Sequence, residues 1–187
     1  LVCIVLGCAG GQYRSMEERQ LAFQEASNLL AKSKSRLEKV RALPDEAEKV
    51  ERETRADLMR ARDIFKRLFD QQRTVTIVLS LAQTQKLLGD IEAAYRSYLY
   101  IINNLDTNHV EALAELGSIA LSAYNNADEA KGYYQRIVAA EPDNSEALFY
   151  TGYIDYRKGD YRSARCSFER IVAEPPAGQY RAYAELY

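Results

Sequence analysis

Tryptophan is absent from this chain, histidine occurs once, at position 109, and only four prolines and nine glycines punctuate its 187 residues. So little punctuation fits long helices joined by short turns. Three cysteines without a CxxC spacing give neither a zinc pattern nor a disulfide framework. No Ser/His/Asp set, Walker loop or dinucleotide fingerprint is present. Strong charge of one sign is missing too, since the formal net charge is −2. Residues 14–73 hold 15 basic and 12 acidic side chains, leaving 10 and 15 of the chain's 25 and 27 for the remainder. No basic block interleaved with aromatics appears, so nucleic acid is excluded as a partner. What is present is 47% apolar and 28% charged residues, the balance of a globular helical chain.

The only continuous apolar stretch worth naming opens the chain: Leu1-Val2-Cys3-Ile4-Val5-Leu6-Gly7-Cys8. It is too short to span a bilayer, which takes about 20 apolar residues. It reads as the tail of a secretory signal, residues 1–8, followed by a linker over 9–13. Val5-Leu6-Gly7-Cys8 resembles the bacterial lipobox. That resemblance implies cleavage before Cys8 and lipid attachment to it, holding the protein at a membrane by buried methylenes. Ala9 rather than Asp follows Cys8, which by resemblance to diderm lipoproteins favours the outer membrane, with the chain facing the periplasm. Cys166 would then be the only other mature cysteine, filling a small helical position. The chain starts at Leu1 and stops inside a helical pattern, and is read as a piece of a longer protein.

Residues 14–73 predict a long helical hairpin. Phe23, Ala26, Leu30, Ser33, Leu37 and Val40 recur by three and four, a heptad-like seam. Pro44 breaks the pattern, and Asp45 with Glu48 three residues on reads as the cap of a second helix. That helix carries Ala47, Val50, Leu58, Ala61, Phe65 and Leu68 on one face. Ser33 and Thr54 make the seams imperfect, which favours a solvated stalk or a degenerate first repeat over a dimerisation coil.

Residues 74–187 show internal repetition. Val78, Leu113 and Leu148 are spaced by 35 and 35, as are Ala82, Gly117 and Gly152. Ala94, Ala130 and Ala164 are spaced by 36 and 34, as are Tyr98, Tyr134 and Phe168, and Ile101, Ile137 and Ile171. One extra residue near Tyr124-Asn125-Asn126 explains the uneven interval. Gly89-Asp90 and Gly159-Asp160 mark turns, while Pro142 and Pro176 stop helices. Small residues at the helix crossing let two backbones approach, and the aromatic fills the gap toward the next unit. This register resembles the tetratricopeptide repeat. The third segment matches best; the first has Asp106 where a closing Pro belongs, and the second lacks the Gly-Asp turn. The resemblance implies an all-α fold in which the hairpin is followed by a right-handed solenoid of three helix pairs. Tyr183 and Leu186 would open a fourth.

The resemblance also implies a concave side lined by first helices. In the third unit that stripe is Phe149, Tyr153, Tyr156 and Arg157; in the second Ala114, Ser118 and Leu121; in the first Leu79, Gln83 and Lys86. Tyrosines with a polar tip suit partner binding, although some of these side chains could equally pack against a fourth unit. A Lys/Asn carboxylate clamp is not visible. His109 reads as a loop residue contacting solvent rather than a base, and Asp155 as a helix-edge carboxylate or the partner of Arg157 or Lys158. No cofactor and no metal are expected. Together the two resemblances imply a non-enzymatic, lipid-anchored envelope scaffold that holds another protein or peptide. The alternative is a docking or regulatory arm of an enzyme whose catalytic part lies beyond Tyr187.

Overall fold

The computed structural model of the protein describes residues 12–40, 47–173 and 179–186, and every regular element among them is helical. Nine helices follow in order: α1 (Met16–Val40), α2 (Ala47–Gln71), α3 (Val75–Leu87), α4 (Ile91–Asn104), α5 (Val110–Ser122), α6 (Ala127–Ala140), α7 (Ser145–Arg157), α8 (Tyr161–Ala173) and α9 (Gln179–Ala184). Cys8, Pro44, Asp45 and Pro176, with the side chains of Val40 and Ala47, lie outside the described residues. The chain divides into two compact units, 1–94 and 95–187, with the division inside α4.

In the first unit α1 and α2 run antiparallel, since Glu25 meets Arg60 while Arg36 meets both Asp57 and Glu53. Ala22, Ala26, Leu30 and Ser33 are buried on α1, and Thr54, Leu58, Ala61, Phe65 and Leu68 on α2. Both sets recur by three and four, so each helix buries one stripe. Phe23, expected in the seam, sits beside it, half-buried and edge-on to Phe65 at 5.8 Å. Ile77 and Leu81 of α3 complete this core, so the hairpin shares its buried face with α3. The Ser33 and Thr54 hydroxyls are buried without partners. Each withdraws a polar group from water for no return, a cost of about 1–3 kcal/mol.

In the second unit α5 pairs with α6 and α7 with α8, and α9 lies on α7 and α8. The glycines expected at the helix crossings stand directly under the aromatics. A Cβ placed on Gly117 would lie 2.7 Å from the Tyr134 ring, and one on Gly152 2.8 Å from the Phe168 ring. Ala94, Ala130 and Ala164 are all buried to 2% exposure or less, as are Ile101, Ile137 and Ile171. Equivalent positions therefore meet equivalent surroundings in successive units. α9 contributes Ala184 to the core of the last pair, whereas Tyr183 and Leu186, expected to open a fourth unit, are exposed.

The turns explain the uneven interval. Gly89 and Gly159 both take φ +82°, a left-handed conformation that a side chain disfavours. In each, the next residue's N–H reaches back five residues, Asp90 to Gln85 and Asp160 to Asp155. The second repeat has Asn125 at φ +50° instead, and Asn126 N–H reaches back six, to Ala120. Asn tolerates this region better than other side-chain-bearing residues. Asn125-Asn126 thus does the work of Gly-Asp with one residue more. Asn126 Oδ1 accepts the Glu129 N–H, just as Asp160 Oδ1 accepts that of Ser163.

His109 is not a solvent-facing loop residue. Its Nδ1 accepts the Ala112 N–H at 3.2 Å and caps α5. Thr74 caps α3 and Asn144 caps α7 in the same way, each 35 residues from His109. A recurring cap saves each first helix one orphaned donor, worth about 1 kcal/mol.

Gly152→Ala should overpack the Phe168 contact and cost about 1–3 kcal/mol. Gly132→Ala, exposed within α6 with nothing near its missing Cβ, should stabilise by about 0.5–1 kcal/mol; thermal melts of the two variants should move in opposite directions. The Tyr134 hydroxyl is buried and unpartnered, and burial pushes its phenol well above the ordinary 10.0. The folded state therefore keeps a proton that the unfolded chain has lost. Stability is intact below about pH 10 and declines as pH rises beyond it. Tyr134→Phe should raise the melting temperature at neutral pH and flatten that alkaline decline.

Candidate functional site

Between the carboxyl-terminal halves of α5 and α7 the second unit has a cleft of 370 Å³. One wall is Ser118, Leu121 and Ser122 of α5; the other is Tyr150, Tyr153, Ile154 and Arg157 of α7; Asn125 and Ala127 close the end at the turn. Residues 150, 153, 154 and 157 lie three to four apart and share one helix face. Ser118 and Tyr153, and Ser122 and Arg157, are 35 residues apart, so the two walls share two register positions; α5 adds Leu121, and α7 adds Tyr150 and Ile154.

The α7 wall is fixed from behind. Tyr150 stacks on buried Tyr134 with centroids 4.8 Å apart and planes 15° apart. Ile154 is 1% exposed. Tyr153 stacks on Phe149 at 6.1 Å, and its hydroxyl accepts a hydrogen bond from Arg157 Nη1 at 3.0 Å. The same guanidinium lies 5.9 Å from the Tyr153 ring centroid, within cation–π range. Ser122 Oγ donates to the Ser118 carbonyl at 2.8 Å.

Of the side chains proposed from sequence, Ser118, Leu121, Tyr153 and Arg157 come together here. Phe149 does not: it packs among Tyr150, Phe168, Tyr180 and Tyr183 as an interior ring. Tyr156 faces solvent beside Tyr161 at 5.5 Å. Gln83 and Lys86 belong to the first unit, where Gln83 Oε1 accepts from Lys34 Nζ at 2.8 Å. Tyr150, Ser122, Ile154, Asn125 and Ala127 were missed. The 150/153/154/157 spacing was the signal for two of them.

Asp155, one residue beside the cleft wall, is 3% exposed and paired with Lys131 of α6. Neither Arg157 nor Lys158 is its partner. Lys158 instead bonds Asp128, and that bond holds the Asp128 carboxyl below the usual carboxylate range. The first pair is enclosed and ties α6 to α7; the second is open to water and screened.

No family model matches the chain, and no curated protein matches it. Solved structures do. One is the crystal structure of YrrB, described as a TPR protein with an unusual peptide-binding site: TM-score 0.60, 16% identity, 92% of this chain and 90% of that one covered. A crystal structure of MamA matches at TM-score 0.56 with 16% identity over 94% and 99% of the two chains. A second MamA structure gives 0.55 and 15% over 90% and 94%. The chain has the tetratricopeptide-repeat fold. At these identities the likeness shows the fold alone. Among the described residues no cluster of His, Cys, Asp and Glu could hold a metal, and no helix is long and apolar enough to cross a membrane.

Removing the cation from the enclosed pair should leave an uncompensated carboxylate. Lys131→Met is expected to cost about 3 kcal/mol, and Lys131→Met with Asp155→Leu to recover most of it. Lys158→Met, which breaks the exposed pair, should leave the denaturation midpoint unchanged.

Proposed function

We propose that this TPR protein is a non-catalytic scaffold or assembly factor that holds a peptide segment of a partner protein in the α5–α7 cleft, and that lipid on Cys8 anchors it in the cell envelope. The cleft carries the first half of this reading. It joins apolar surface from Leu121 and Tyr150 to the polar ends of Tyr153, Arg157 and the two serines, a mixture that suits recognition. Its volume suits a few side chains, not a folded domain. YrrB, of the same fold, is described as having a peptide-binding site. Val5-Leu6-Gly7-Cys8 supports the second half. The lipid would keep the cleft at the membrane surface, where partners arrive by diffusion in two dimensions.

The halves are tested separately. A photoreactive phenylalanine analogue in place of Tyr153 should crosslink a discrete partner, and the same analogue at Tyr161, exposed but outside the cleft, should not; equal products from both positions would refute the cleft. Metabolic labelling with a palmitate analogue should mark the protein and fail in Cys8→Ala. Label that survives that change would refute the anchor.

A further inference from the structure

We infer that the α5–α7 cleft selects an acidic side chain of its partner peptide, with Arg157 as counter-ion and an apolar neighbour seated beside it. This rests on the reading of the cleft as a peptide site and adds the chemistry of the peptide. The chain as a whole is weakly acidic, at −2, but the cleft is not. Among its lining residues Arg157 is charged and none is a carboxylate. The two carboxylates nearest in sequence to the walls are already matched: Asp155 by Lys131 and Asp128 by Lys158. Neither pair draws on Arg157.

The guanidinium is also held ready. One N–H is spent on the Tyr153 hydroxyl and its plane lies within reach of the Tyr153 ring, itself stacked on Phe149. Of the five donors that a guanidinium carries, this leaves a fork able to meet a carboxylate with two parallel bonds. Holding the side chain beforehand lowers the ordering cost of binding. Leu121 on the facing wall and the Tyr150 ring on its own wall offer apolar surface beside it. A carboxylate and an apolar side chain adjacent on one extended segment would satisfy both.

Short random peptides displayed as internal fusions, and therefore without free carboxyl termini, should be panned against the whole chain. Wild type is expected to enrich Asp or Glu next to a bulky apolar residue. The best peptide, made with blocked ends, should bind about tenfold more weakly to Arg157→Gln or when its acid becomes an amide, the loss of one charge-assisted contact. Changing both should cost little more than either alone. Arg157→Lys should keep the acidic preference, and Arg157→Glu should turn it toward Lys and Arg. Arg157 is exposed, so the Gln and Lys variants should melt close to wild type, while the Glu variant, with a negative charge in the last turn of α7, should melt slightly lower. Enrichment that depends on Tyr153 but shows no acidic bias, or is indifferent to Arg157, would overturn this inference and leave the cleft reading standing. No enrichment on wild type would remove both.

Discussion

The architecture depends on two backbones coming close enough to leave no room for a Cβ. At Gly117 and Gly152 the space a methyl would take is already occupied by the rings of Tyr134 and Phe168. Interiors are packed at crystal density, so a contact of this kind admits one helix separation and little else. Repeating it sets the second helix of each pair at the same depth against the first. Ala130 and Ala164, and Ile137 with Ile171, then fall into matching buried positions in each pair. The cleft is a by-product. With the α5–α6 and α7–α8 crossings fixed, the flanks of α5 and α7 face across a gap that no side chain fills.

That economy has costs, and they sit in recognisable places. Tyr98 and Tyr134 each bury a hydroxyl with no partner, whereas Phe168, at the same position one unit on, has none to bury. The ring is what the crossing needs; the oxygen is a burden to stability. Ser33 and Thr54 are the same kind of cost in the hairpin. Asp155 differs, because Lys131 answers it and the pair links consecutive helix pairs. Its removal would be felt through the abandoned partner more than through any net attraction lost. Elsewhere in the second unit polar groups are used more fully: Glu129 accepts from both Tyr95 and Tyr133, joining α4 to α6.

Much of this was legible from residue spacing, because the signals that recur every 35 residues are steric. Small residues under large rings, and turns needing positive φ, leave marks that a sequence cannot hide. The repeating caps were harder to see, since Thr74, His109 and Asn144 share no side-chain class. What they share is one acceptor atom placed over an N–H three residues on. Asn125 was obscured for a similar reason: it supplies the conformation of glycine without being glycine. Asp155 could not be assigned by looking nearby in sequence, as its cation comes from another helix 24 residues earlier. In the cleft, four side chains were identified and the flank was misjudged by one position, which exchanged Tyr150 for Phe149.

That one-position error has a physical moral for how the cleft can work. Phe149 and Tyr150 are both aromatic and half-buried, but Phe149 is walled in by four rings besides Tyr153, and Tyr150 has one face on Tyr134 and the other on the cleft. Tyr134 in turn presses on Gly117. The cleft wall therefore stands on the same contact that sets the helix spacing. A peptide seated there, as proposed, would push through Tyr150 on the crossing, which resists. What can vary is the long polar side chains at the rim. Arg157 is one, exposed and held only at its tip by Tyr153. Its chemistry can change, from repeat to repeat or protein to protein, without disturbing the packing beneath.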